Sequence, residues 1–461
     1  MHTDARGLTL TTASAAAATH YNEAIDAYFQ YRLSTGNILK RALEADPDFV
    51  MGHVLKGYLF MLFGSESFYP RARSALAAAE RNAAGATARE QRHLAALDRW
   101  STGDVSGAIA VWSELLAEDP LDLLALRLHH FNTFWMGRNY VLRNTVAGVL
   151  DAWSESLPGY GNVLGMLCFG LEECGEFERA EALGRRAVEL DPEDLWAIHA
   201  VAHVLEMQGR IDEGSSWLDY PADRWDDRNP FRGHLWWHAA LFPLERGDYD
   251  KVIALYDRSV RSVQSEFYLD IQNMASLLMR LELLGVDVGE RWVELADHAD
   301  SHVDDHALAF TDVHCAMSVA MQQRAATAEK LLASLRSYAD KPNNYAAQTM
   351  LGITVPLCEA IFAFGAGRYE DAVDKLLPIR DELAPLGGSH AQRDVFTQML
   401  LEAAIRCGRF PLARTLLRER ITLRPTSYND WNRYAIVLAA LDDDAGAERA
   451  RREAAALGVA A

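Results

Sequence analysis

At 461 residues, half of them hydrophobic and a tenth aromatic, the chain exceeds one ordinary globular core and has ample material to bury. That excludes intrinsic disorder and leaves several domains or an extended repeat array. A net charge of −20 with a pI near 5.2 argues against a nucleic-acid or anionic-membrane partner, because phosphate binding needs a basic face.

The N-terminal stretch MHTDARGLTLTTASAAAATHYNEAIDAYF has one early Arg and no leucine-rich run, so it does not read as a secretion signal. No uninterrupted apolar run approaches the roughly 18 residues of a membrane span. The five cysteines, Cys168, Cys174, Cys315, Cys358 and Cys407, are odd in number and form no CxxC pair, as expected of thiols in a reducing compartment. A soluble cytoplasmic protein is the expectation.

Punctuation then recurs along the chain. Asp46-Pro47 closes an early unit. Arg89 to Asp122 turns at Gly103, carries Ala108 where two helices approach, and ends at Asp119-Pro120. The stretch GNVLGMLCFGLEECGEFERAEALGRRAVELDPED, Gly161 to Asp194, has its turn at Gly175, small residues Ala180 and Ala187, and Asp191-Pro192 at its end. It resembles a tetratricopeptide repeat: small residues let two helices pack closely, and Pro after the second helix stops it. Further turns fall at Gly137, Gly209, Gly247, Gly285, Gly367 and Gly408. Ala372 and Ala413 follow the last two, and Arg424-Pro425 closes the penultimate unit. Between Val286 and Gln323 the register is looser.

No strand alternation and no linker rich in Pro, Gly or Ser is evident. The expected fold is all-α, a right-handed α-solenoid of roughly ten or more tetratricopeptide-like hairpins without a sheet. One superhelix is expected over 1–461. In it, 1–88 form degenerate N-terminal hairpins, 89–285 the best-formed repeats, 286–352 irregular hairpins and 353–461 the C-terminal repeats.

The stretch WAIHAVAHVLEMQGR, Trp196 to Arg210, carries more than a packing code. Ile198, Val201, Ala202 and Leu205 make one buried helix face. Beside it run His199, His203 and Glu206 at the same spacing. Resemblance to the tetratricopeptide repeat implies that this second stripe faces the concave groove, as do His234, Trp237 and neighbouring His238. Trp100, Arg127, Phe131 and Trp135 from earlier units and Gln398 and Glu402 from late ones join them. His129 and His130 fall at positions that pack against a partner helix, as does Trp236, and they read as core.

The segment from Ala197 to Asp248, with AIHAVAHVLEMQGRIDEGSSWL and NPFRGHLWWHAALFPLERGD, is followed by HALAFTDVHCAMSVA from His306. It resembles the tetratricopeptide repeat protein 38 family. The similarity runs over most of the chain and is densest between about Tyr160 and Ala320. It implies the fold and the importance of the segment, but no reaction.

Three readings of the histidine cluster follow. In the first, the groove is a binding pocket: His, Trp, Arg and Glu side chains suit a small polar or aromatic ligand, or a peptide end. Arg127, Phe131, Trp237, His238, Asp312 and His314 would contact it, and Ser215 to Phe231, with Trp217, Tyr220, Trp225, Asp226 and Asp227, would form a lid. In the second, His199 and His203, spaced as helical zinc ligands are, hold a divalent metal with His234, or with His238 on the same hairpin, and with Glu206. Catalysis by His199, His203, Glu206 and His234 would then hydrolyse a small amide or ester, with Glu206 as general base, Trp237 and Arg127 positioning substrate, and Asp304, Asp305, His306, Asp312 and His314 adding further contacts. In the third, the cluster is a polar network in a protein-interaction scaffold. Cys315 and His314 are adjacent on a helix and point about 100° apart, so they do not make a nucleophile pair. A homodimer through an exposed end of the stack is a further expectation.

Overall fold

The computed structural model describes residues 1–229, 231–261 and 265–458; Pro230, within the expected lid, lies outside them. The chain forms two compact units. The first comprises Met1–Val201, Trp225–Phe231 and Asp340–Gln348; the second comprises Ala202–Arg224, Arg232–Ala339 and Thr349–Ala461.

The first unit is built from paired helices: α1 (Ala15–Phe29) with α2 (Thr35–Ala45), α3 (Val50–Met61) with α4 (Tyr69–Glu80), α5 (Ala88–Ser101) with α6 (Val105–Glu118), α7 (Leu123–Trp135) with α8 (Asn139–Val149), and α9 (Tyr160–Glu172) with α10 (Phe177–Leu190). The division falls within α11 (Leu195–Met207), which pairs with α12 (Ile211–Trp217). The second unit continues with α13 (Phe231–Glu245) and α14 (Tyr249–Leu255), α15 (Tyr268–Leu283) and α16 (Val293–Ser301), and α17 (Ala309–Met321) and α18 (Ala325–Tyr338). After α19 (Tyr345–Thr349), a π-turn leads into α20 (Val355–Gly365), paired with α21 (Tyr369–Leu376). Then come α22 (His390–Arg406) with α23 (Phe410–Leu423), and α24 (Tyr428–Ala440) with α25 (Asp444–Leu457).

The hairpin turns follow one physical rule. Gly103, Gly137, Gly175, Gly209, Gly247, Gly285, Gly367 and Gly408 all take positive φ, between 63° and 88°, a conformation that closes a helix and that a Cβ disfavours. At Gly175 the chain reverses through Gly175 N–H to Glu172 O at 2.8 Å and Glu176 N–H to Leu171 O at 2.9 Å. The Asp-Pro and Arg-Pro pairs act at the other end. Helices α2, α6, α10 and α23 stop immediately before Asp46, Asp119, Asp191 and Arg424. Ala108, Ala180, Ala187, Ala372 and Ala413 are buried between helices.

Two features depart from expectation. Among the described residues one small ribbon exists, His2–Thr3 antiparallel to Thr9–Leu10. It turns because Asp4 Oδ1 accepts from both Arg6 N and Leu8 N at 2.9 Å, a local contact that competes with helix. The helical stretch Tyr345–Gly365 is long and apolar enough, by length and composition, to cross a membrane, and most of it is buried within the protein.

Each unit has a segment seated on the ends of its first helices. In the first, Tyr345 Oη donates to Met136 O at 3.0 Å beyond α7. Trp225–Phe231 docks on the α1–α2 corner through Arg228 to Gln30 O at 2.8 Å and Asn229 N to Tyr31 O at 2.7 Å. In the second, Thr426 donates to Gly209 O at 2.6 Å, Asn429 to Leu244 O at 2.6 Å and Arg433 to Leu283 O at 2.5 Å. These bonds satisfy carbonyls that helix ends leave open.

Candidate functional site

Helix α11 is buried on every side. Ile198, Val201, Ala202 and Leu205 form its apolar face, and His203 and Glu206, on the second stripe, are buried as well. His203, Glu206, His234, Trp237, His238, Asp312 and His314, expected to face a concave ligand space, are all buried in the second unit. The reason is local. The start of α22 is hydrogen-bonded into the inner face of these helices, with Arg280 Nη2 donating to Ala391 O at 2.7 Å, and the α24 contacts cover the ends of α11, α13 and α15.

Three imidazoles meet there. His203 from α11 and His234 and His238 from α13 offer ring nitrogens that all lie within 4.8 Å of one another. The rings of His203 and His238 are 4.3 Å apart, and those of His234 and His238 4.8 Å. Burial lowers the pKa of each, to about 4 for His234 and well below the ordinary value for the other two, with mutual repulsion adding to the effect at His203 and His238. All three are neutral at pH 7.

Their orientation is fixed from outside. His238 Nδ1 is 3.0 Å from Glu206 Oε2, and His234 Nδ1 is 2.8 Å from Asn273 Oδ1 on α15. An acceptor at Nδ1 places the proton there and leaves Nε2 with its lone pair. Burial pushes Glu206 up to about 7, partly offset by Arg424 and Arg280. Trp237 stacks on His234 at 5.2 Å and 9°, and the Arg280 guanidinium lies 5.2 Å over the indole.

The other expected site residues have these surroundings. In the first unit, His199 packs against Phe169, Trp196 and Phe231 at 5.5, 5.1 and 5.2 Å. Arg127 is buried with its guanidinium 4.1 Å over Trp196, and it donates to the Tyr31 hydroxyl. Phe131 is half-buried between Trp100 and Trp135. Of the expected lid, Trp225 is buried in this unit. In the second unit, His306 links Asp312 at 2.8 Å and Ser334 at 2.9 Å, and Asp304 accepts from Ser334 at 2.5 Å. His314 Nδ1 donates to Phe310 O at 2.6 Å. His129, His130, Trp236 and Cys168 are core residues, as their register indicated.

Sequence reasoning missed Asn273, Ser276 and Arg280. They recur at helical spacing along α15, a helix buried along almost its whole length, and a polar stripe on so apolar a helix was the signal available.

Hairpin follows hairpin with a residue of positive φ at the turn, Gly in most and Tyr31, Gln323 or Asp442 in others, and with the same helix pairing. The fold is a tetratricopeptide-like α-solenoid. No protein-family model matches the chain. Among solved structures, it is similar to a human IFIT1 dimer with PPP-AAAA (12% identity, 95% of this chain and 89% of that one, TM-score 0.37). It is also similar to yeast Tom70 (12% identity, 96% and 84%, TM-score 0.30) and to the TPR domain of P58(IPK) (12% identity, 80% and 92%, TM-score 0.23).

Proposed function

We propose that this chain is a helical-repeat protein whose second unit carries an internal binding centre for a divalent transition metal, zinc by donor chemistry. The observation that supports this is the triad itself: three neutral imidazoles on two successive first helices, with ring nitrogens within 4.8 Å of one another and Nδ1 of two of them tied to Glu206 and Asn273. Neutral imidazole is the form that ligates, and an outer carboxylate or amide on the far nitrogen is how metal-binding histidines are held. His203, His234 and His238 were all expected as ligand candidates; His199, the fourth, is counted with the first unit.

Kinship with the tetratricopeptide repeat protein 38 family is part of this proposal and rests on residues 197–248 and 306–320. The metal reading is tested by elemental analysis of the purified full chain beside His203→Ala and His238→Ala, with circular dichroism as the check on folding. The wild type should carry about one zinc per chain and the folded variants at least tenfold less. A folded wild type that holds no metal and takes up none from added Zn2+ overturns it.

A further inference from the structure

Arg280 stands in the interior of the second unit with 2% of its surface exposed. Nη1 donates to the Ser276 carbonyl at 3.2 Å and to the Ser276 hydroxyl, and Nη2 donates to Ala391 O at 2.7 Å. All of these acceptors are neutral. The acid whose charge it feels most, Asp394, is already taken by Arg420 at 2.5 Å and Arg424 at 2.8 Å. Glu206 faces His238 instead. Among the described residues no carboxylate is paired with this guanidinium, and a buried cation left without an anion is costly.

The groups around it are short of partners too. Trp237, under the guanidinium, is fully buried, and its indole N–H has no acceptor among the described residues. His314, buried to 1%, spends Nδ1–H on Phe310 O and leaves Nε2 without a partner there. No described residue accepts from the Arg280 Nε–H, and Nη2, which gives one hydrogen to Ala391 O, carries a second; Nε and Nη2 share the side-on edge that grips a planar anion with two oxygens. Buried polar atoms are normally satisfied. A cation without an anion, its side-on edge and the N–H of the indole 5.2 Å below it make a donor set suited to one planar anion.

We propose that the second unit binds the carboxylate of a small organic acid at Arg280 and the Trp237 indole N–H, beside the histidine triad. Two carboxylate oxygens meet the Nε and Nη2 edge, and one also accepts from the indole. The site stands on Arg280 and Trp237 and does not depend on a metal. Where a metal sits on the imidazoles, its charge adds to that of Arg280 and strengthens the need for an anion.

The experiment is calorimetric titration of the full chain with acetate, succinate and benzoate, using chloride at matched ionic strength as the control and measuring metal content on the same samples. At least one carboxylate should bind saturably. Arg280→Met should weaken it about a hundredfold, and Trp237→Phe, which keeps the ring and removes the N–H, about tenfold. If Arg280→Met does not fold, Arg280→Lys, which keeps the charge without the fork, should still lose affinity relative to wild type. No saturable binding of any of the three acids overturns the inference, and so does equal binding by wild type and the Arg280 variant. Carboxylate binding by metal-free protein would leave this site standing and refute the metal reading alone; zinc without carboxylate binding would do the reverse.

Discussion

Asp122 and Asp194 hold the same post, each capping the start of a first helix through the backbone N–H three residues on, Ala125 at 2.8 Å and Ala197 at 3.0 Å. Their surroundings drive them apart. Asp122 also receives Arg89 at 2.7 Å and His93 at 3.0 Å, and these hold its carboxyl well below the usual range against the desolvation that opposes them. Among the described residues Asp194 has Asn162 at 2.8 Å besides its backbone donor and no cation bonded to it, and burial pushes it up to about 6. Asp122→Ala leaves Arg89 and His93 buried without their anion, so unfolding by urea should show a loss of about 3–5 kcal/mol. Asp194 runs the other way. Its folded pKa exceeds the unfolded one, so the native state binds the extra proton and stability falls as pH rises from about 4 to 6. Asp194→Asn never ionises, keeps the Ala197 N–H bond through its oxygen, and donates its NH2 to the Asn162 oxygen once that amide turns over; it should raise stability at pH 7 by roughly 1 to 3 kcal/mol and flatten that window in a pH series of melting curves.

Among elements, the turn between paired helices was the most legible feature, because a left-handed residue there is nearly a requirement and glycine supplies it. All eight glycines read as turns have positive φ. At the end of the stretch where the register looked loose, the position is filled by another residue: Gln323, between α17 and α18, has φ 51°; Asp442, between α24 and α25, does the same at φ 60°. The hairpin is the same; only its marker is gone. Gln323→Gly should therefore stabilise the second unit by roughly 0.5 to 1 kcal/mol, read as a shifted urea midpoint with an unchanged slope. The N-terminal ribbon was illegible for a related reason. Two residues per strand show no alternation, and its turn depends on one Asp4 side chain.

On the scale of the whole chain, helical pairing was legible throughout, whereas the burial of the candidate site was not. Repeat register placed His203, Glu206, His234 and Trp237 on one face, and they lie buried beside His238 or one another. The sequence carries no local sign that α22 and α24, nearly two hundred residues later, cover the same face, since such closure depends on contacts such as Arg280 to Ala391 and Asn429 to Leu244. A covered face changes the chemistry. Imidazoles that would titrate near pH 6.5 in water are held neutral, and on the proposed reading a stripe suited to a peptide groove becomes an internal ligand set. The holding groups matter as much as the ligands: Asn273→Ala should lower zinc affinity about 10- to 100-fold without unfolding the chain, measured by competition with a chelator.

The most direct test of the internal metal centre is X-ray absorption at the zinc edge on the full chain purified without added metal. The account predicts a first shell that includes imidazole nitrogens at about 2.0–2.1 Å, with the outer-ring scattering of histidine, and loss of that signal in His203→Ala. A first shell of sulfur near 2.3 Å, a shell of oxygen alone, or no zinc in folded protein would contradict it.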